Sequence, residues 1–350
     1  MRLRLGIATA LVTVTIAAVP AATQATAESA TYLDTFSPTF APGQLATAAG
    51  GFTGLDATPI PGVYLAVTGV GAGPAPGRFR TIRIPLGADG RITSDRVEVL
   101  AESPLSNASG SMAPGSGFAP SAIRLADGEV LIAGSTPGRQ GVAPRLSGFD
   151  MTGSHIRDYS LPRSWMPGAT GQSGIAAAPA TLGAAVHGGL VTVISGAPLR
   201  QDGALSGGPR ARLAQIDRYS GLVMREYAYE LSMGDGALAT GLLALSGTDY
   251  LVLERGVGAD GRPTARLYRA RVGDATDITA RHALVGNEAP MSSELLLDLG
   301  ATGAEPGAIE AMSLGPVLSD GSRTVVLATG GAAPGEGVEP SRIHVVRLDP

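Results

Sequence analysis

Two carboxylates, Glu254 and Glu310, are the residues of this chain best placed for chemistry. Each is the single acid at a position that carries Thr, Ser or Gly elsewhere in a repeated pattern. Two carboxyl groups held a few ångströms apart can divide acid and base roles in a hydrolysis. Arg255 and Arg78 would hold an anionic substrate beside them, and the hydroxyls of Thr53, Ser121, Ser173 and Thr240, which share a frame with Glu310, would line the same space. The plainer reading of Glu254 is an ion pair with Arg255 or with an arginine of another repeat, because structural ion pairs often mimic sites.

Most other chemistries are excluded. All 26 basic residues are arginine, so Schiff-base and Ser–Lys chemistry are ruled out, and with Cys 0 there is no thiolate metal site, disulfide or c-type haem. His155, His187, His282 and His344 lie far apart without the spacing of a metal pair, and read as strand or loop residues. Gly256–Gly261 matches G-x-G-x-x-G but sits between two strands and opens no helix, so it reads as a hairpin loop. Gly171-Gln-Ser173-Gly-Ile175 ends in Ile and forms no nucleophile elbow. Trp165 reads as a lid over a blade, and Asp202 as a turn former in a Gly-rich hairpin.

The elements that would position these residues are short strands. Gly 50 and Pro 25 in 350 residues mean many turns, and 44% hydrophobic residues can bury a sizeable core. A net charge of −4 without a basic run gives no electrostatic case for nucleic acid. Arg2 and Arg4, the apolar run Leu5 to Val19 and Ala25-Thr-Ala27 form a secretory signal, so residues 1–27 are expected to be removed and residues 28–350 to form one exported domain, secreted or periplasmic. That apolar run is shorter than the roughly 20 residues a spanning helix needs, so no stable membrane anchor is expected.

Five segments repeat one frame of hydroxyl or acid, Gly or Ala, then an aliphatic residue: Thr53-Gly-Leu55, Ser121-Ala-Ile123, Ser173-Gly-Ile175, Thr240-Gly-Leu242 and Glu310-Ala-Met312. An apolar strand follows each, as in Tyr64 to Thr68 and Tyr250 to Leu253, then a third alternating strand such as Arg78 to Pro85. A fourth strand is readable at Val97 to Ala101, His155 to Leu161, Val223 to Tyr229 and Ile278 to Leu284. Repeats of this period made of four strands are propeller blades. The fold class is therefore all-β, a single β-propeller of five four-stranded blades, with Glu294 to Leu299 leaving a sixth open. Tyr32 to Phe36 would supply the last blade's missing strand and close the ring.

Several segments in series resemble the phytase-like (esterase-like activity of phytase) family. They are Gly50-Gly-Phe-Thr-Gly-Leu55, Pro198-Leu-Arg-Gln-Asp-Gly203, Leu251-Val-Leu-Glu-Arg255, Arg266 to Asp277 and Ala308-Ile-Glu-Ala-Met-Ser-Leu-Gly-Pro316. The resemblance implies a propeller with acidic residues and calcium-linked hydrolysis of phosphate or carboxylic esters. The family often carries acids in the first-strand column and in a second column at the end of strand two. Here those columns read Thr53, Ser121, Ser173, Thr240, Glu310 and Gly69, Gly134, Gly196, Glu254, Gly330. One acid remains in each, too little negative oxygen to hold Ca²⁺ tightly. The expectation is weak Ca²⁺ binding at most and a weakly active or non-catalytic binding module, its partner a small anionic ligand or an envelope protein. The alternative is a hydrolase using Glu310 and Glu254.

Overall fold

The computed structural model describes residues 29–41, 51–68, 77–107, 110–111, 118–138, 141–176, 181–203, 205, 207–258, 261–304, 306–330 and 341–349. Gly69, residues 331–340 and residues 1–28, which include the segment read from the sequence as a signal, lie outside the described residues. Five antiparallel four-stranded sheets form a ring. In order from the axis outwards, blade 1 consists of Gly54–Ala57, Val63–Val67, Arg78–Arg83 and Glu98–Pro104. Blade 2 consists of Ala119–Ala126, Glu129–Gly138, Gly141–Phe149 and His155–Tyr159, and blade 3 of Gly183–His187, Leu190–Ile194, Arg210–Asp217 and Val223–Glu230. Blade 4 consists of Leu238–Ala244, Asp249–Val257, Pro263–Arg271 and Ser292–Asp298. Blade 5 takes Ile309–Val317, Arg323–Thr329 and Ile343–Asp349 from the C-terminal part and its outer strand, Ser29–Phe36, from the N-terminal part. Among the described residues no helix is long and apolar enough to cross a membrane.

The apolar second strands have a specific cause. Successive residues of a strand point to opposite faces, and here each face belongs to a different core. Tyr64 and Ala66 pack between blades 5 and 1, whereas Leu65 and Val67 pack between blades 1 and 2. Val130 and Ile132 face blade 1, and Leu131 and Ala133 face blade 3. Tyr250 and Val252 face blade 3, and Leu251 and Leu253 face blade 5. Five separate cores thus fill the five interfaces between blades.

Two strand assignments from the sequence are corrected. Blade 3 begins at Gly183, not at Ser173-Gly-Ile175, which lies in the preceding loop, where Ile175 bridges Val142 and Leu199. The Ala-rich run Gly183-Ala-Ala-Val-His187 carries little β-propensity of its own, and its burial against neighbouring blades decides its state. The fourth strand of blade 4 is Ser292–Asp298, not Ile278 to Leu284. Ile278 and Leu284 instead bury their side chains against Ala228 in a small separate cluster. The segment at Glu294 to Leu299 therefore completes blade 4, and the ring has five blades.

Innermost strands can converge because each carries a small residue where it meets the next blade: Gly54, Ala122, Gly183, Gly241 and Ala311. A Cβ at Gly54 would lie 2.7 Å from Val67 Cγ2 and 2.9 Å from the Ala122 Cα. We expect Gly54→Val to cost about 3 kcal/mol, at or above the upper end of ordinary overpacking, measured as a lowered midpoint in urea unfolding. An unchanged midpoint would mean the inner strands have slack that the geometry does not show.

Candidate functional site

The first-strand column sits at the mouth of the axial channel. Thr53, Ser121, Thr240 and Glu310 line it, and Leu182 takes the blade 3 position, not Ser173. In blades 2, 4 and 5 the column residue lies in a β-bulge of the inner strand. The bulges turn the Ser121 and Thr240 hydroxyls toward neighbouring backbone, and Thr53, just ahead of the unbulged inner strand of blade 1, points its hydroxyl the same way. Thr53 Oγ1 donates to Pro120 O at 2.8 Å, Ser121 Oγ donates to Leu182 O at 3.0 Å, and Thr240 Oγ1 donates to Ile309 O at 3.2 Å. Ser121 Oγ also accepts from Leu182 N at 2.9 Å. Each bond joins one blade to the next, so these hydroxyls knit the ring.

Glu310 is the acid of this column. Its carboxylate pairs with Arg255 of blade 4 at 2.9 Å. It lies against Gly330, where a Cβ would fall 2.2 Å from Oε2. Burial raises the Glu310 carboxyl above the usual carboxylate range, and the Arg255 charge pulls it back. Glu254 is adjacent in sequence to Arg255 and therefore points to the opposite strand face. It is fully buried, and its carboxylate accepts hydrogen bonds from Tyr229 OH (2.6 Å), Ser232 N (3.1 Å) and Met233 N (3.0 Å). Burial raises this carboxyl too, opposed by the Tyr229 bond. The two glutamates thus do not form a pair. Arg255, the partner foreseen for Glu254, belongs to Glu310. Arg78 lies away from the axis, between the outer strands of blade 1, and pairs with Glu102 at 2.9 Å beside Arg80.

Sequence reasoning missed the residue that fills the channel. Arg124, from the inner strand of blade 2, is 5% exposed and extends its guanidinium across the axis. Nε donates to Ala184 O at 2.7 Å. Nη1 donates to Leu55 O at 2.6 Å and Ile123 O at 2.7 Å, and Nη2 to Leu242 O at 2.7 Å and Met312 O at 3.1 Å. The acceptors come one from each blade, at equivalent positions. A guanidinium has five N–H donors, so donors match the five carbonyls one to one. Asp56 sits 3.5 Å from Nη1 and accepts from Leu125 N at 2.7 Å. Burial raises the Asp56 carboxyl, and Arg124 and these hydrogen bonds lower it. The channel space these residues line has no volume for a water-sized body. The available signal was a charged residue inside an otherwise apolar inner strand, Ala122-Ile-Arg124-Leu125.

These residues do not fit a calcium ion. Ca²⁺ needs six to eight oxygens with several carboxylates. Here one mouth carboxylate is neutralised by Arg255, the other candidate is turned into a blade interface, and a cation already sits on the axial carbonyls. Among the described residues no three His, Asp or Glu side chains gather as a metal set.

Residues 47–329 match the family described as Phytase-like: Esterase-like activity of phytase. The chain belongs to the phytase-like family. No curated protein matches the sequence. Solved structures similar to this family member include an alpha-L-arabinofuranosidase from Podospora anserina in complex with cellotriose, at 10% identity over 92% of this chain and 97% of that one, with a TM-score of 0.46. Others are the catalytic domain of a Coprinopsis cinerea GH62 alpha-L-arabinofuranosidase (12% identity, 85% and 90% covered, TM-score 0.43) and a GH43_1 enzyme from Xanthomonas citri (11%, 87% and 88%, 0.44). Likenesses at this level carry no argument about activity.

In this family member the Leu199-Arg-Gln-Asp-Gly203 segment is a structural staple. Asp202, read from sequence as a turn former, is buried and holds Arg212 through two bonds, Nη2 to Oδ1 at 2.6 Å and Nε to Oδ2 at 2.8 Å, while Oδ1 also accepts from Leu284 N. The Gln201 amide donates to Ser164 O and His282 O and accepts from Gly174 N, tying three loops together. Trp165 is fully buried between blades 2 and 3 and donates Nε1–H to Glu226 Oε1 at 2.7 Å. Glu226 also meets Arg212 at 3.4 Å, and its Oε2 has no partner.

Burial pushes the Glu226 carboxyl up to about 7, against the pull of Arg212 and Trp165. In the unfolded chain it titrates near its ordinary 4.5. A raised carboxyl favours folding below the unfolded value, and that contribution is lost as pH rises through the folded value of about 7. We expect the Tm of Glu226→Gln, taken relative to wild type, to rise from about pH 5 to about pH 8. A difference flat over that interval, in thermal scans at matched ionic strength, would refute a shifted Glu226.

Proposed function

We propose that this phytase-like propeller is an exported, non-catalytic binding module whose partner is a protein outside the cytoplasm, not an ester or phosphoester hydrolase. One observation carries the reading: the polar side chains at the channel mouth are already engaged within the ring. Glu310 is paired with Arg255, the hydroxyls of Thr53, Ser121 and Thr240 bond across blades, and Arg124 occupies the axis behind them. Hydrolysis needs a base or a polarised water free to meet substrate, and Glu254 is held by three hydrogen bonds at a separate interface. A small anionic ligand at the mouth is less well supported than a protein partner, because Arg255 and Arg78 are already neutralised by Glu310 and Glu102. Export rests on the signal-like segment Arg2 to Ala27.

The competing reading keeps Glu310 as an acid whose pKa is raised by burial, beside a cation that could meet an ester oxygen. Assays with a nitrophenyl phosphate, a nitrophenyl ester and phytate, with and without millimolar Ca²⁺, separate the two. The expected result is no turnover above the uncatalysed rate and no rise in Tm on adding Ca²⁺. Calcium-dependent cleavage that is lost in Glu310→Gln, with the variant still folded, would overturn the non-catalytic reading.

A further inference from the structure

In a propeller the innermost strand of every blade is a sheet edge. Its outer side pairs with the second strand, and its inner side presents backbone groups to the axis with no sixth sheet to receive them. Leu55, Ile123, Ala184, Leu242 and Met312 each aim one carbonyl there. Five carbonyl dipoles converging on one point repel each other and favour positive charge, and buried acceptors without partners are costly. One guanidinium meets all five at 2.6–3.1 Å.

We propose that this ring of five carbonyls is a cation-binding site, that its ligand class is the guanidinium-type cation, and that Arg124 is the cation the chain supplies to it. The match is specific to that class. A lysine ammonium has three donors and would leave two carbonyls unmet. The planar fork also spreads its donors outward toward acceptors that surround it from five blades. Asp56, at 3.5 Å, offsets part of the charge without replacing any of the five carbonyls. Filling the axis from within makes ring closure independent of a metal ion.

Arg124→Ala removes the side chain and leaves the ring. Its Tm should fall by about 5–10 °C, a large loss for a domain of this size. Guanidinium chloride at about 10 mM should then raise the Tm of the variant by about 2–5 °C, by mass action on the native state, while the same concentration of urea or sodium chloride should not. Wild type, whose site is full, should gain nothing. Arg124→Lys should fall between the two. Equal stability of Arg124→Ala and wild type, or the same response of both proteins to guanidinium, would overturn the proposal. Should Arg124→Ala fail to fold, NMR of the wild-type chain labelled at arginine decides the matter. A fully bonded guanidinium gives separate, slowly exchanging Nη–H signals for Arg124. A single averaged signal exchanging freely with water would refute the site.

Discussion

The axis of this propeller is where the fold is most exposed to failure, and the Arg124 guanidinium is what settles it. Five inner strands meet there, each with an unpaired edge. Hydrogen bonds to a charged donor contribute about 1.5–3 kcal/mol each, and five of them stand against the cost of burying one charge, which is several kcal/mol. The balance depends on every carbonyl being in place. Four of the five acceptors come from other blades, so the arginine reports on the whole ring. It is bonded to blades 1, 3, 4 and 5 at once, which gives the five inter-blade cores a common reference point.

Closure elsewhere follows the same logic of satisfying edges. Ser29–Phe36 covers the outer edge of the C-terminal strand, joining the two ends of the chain in blade 5. Phe52 N donates to Thr329 O and Ala239 N to Gly196 O, which complete at two interfaces what the mouth hydroxyls do at the other three. Gly51, in the left-handed region at φ 68°, lets the chain pass against the Thr329 carbonyl. The described part of that family-like segment, Gly51 to Leu55, is therefore the joint between blades 5 and 1. Groups that look chemical in a sequence, three hydroxyls and two carboxylates, are consumed by this joinery.

A second buried network sits between the loops on blades 3 and 4. Asp202, Arg212, Glu226 and Trp165 share it, and Arg212 is fully buried with backbone carbonyls of Arg281 and His282 among its acceptors. A buried charge of this kind is tolerated only when paired and fully bonded. Burial pushes one of the network's two carboxylates, Glu226, toward the neutral form, and the nearby Asp202 charge adds a smaller push in the same direction. The Gln201-Asp202-Gly203 segment, the end of a short 3-10 turn, is thus explained by what it holds in place.

The sequence by itself determined the all-β class, the propeller architecture, the apolar second strands and the closing N-terminal strand, because these are written in local alternation and spacing, while the number of blades stayed open at Glu294 to Leu299. It also determined that Glu310 and Thr240 share a column, since the repeat frame fixes register wherever the inner strand is strongly patterned. It did not determine the start of blade 3, where Gly183 to His187 is alanine-rich and only burial by the neighbouring blades makes it a strand. Nor did it determine partners. Arg255 turned to Glu310, Glu254 to Tyr229, Arg78 to Glu102, and Arg124 to five carbonyls from five separate stretches of chain. Those choices depend on which residues the ring brings within about 3 Å of each other. Hydrogen bonds form only at such contact, and the sequence separation of 188 residues between Arg124 and Met312 carries no trace of it.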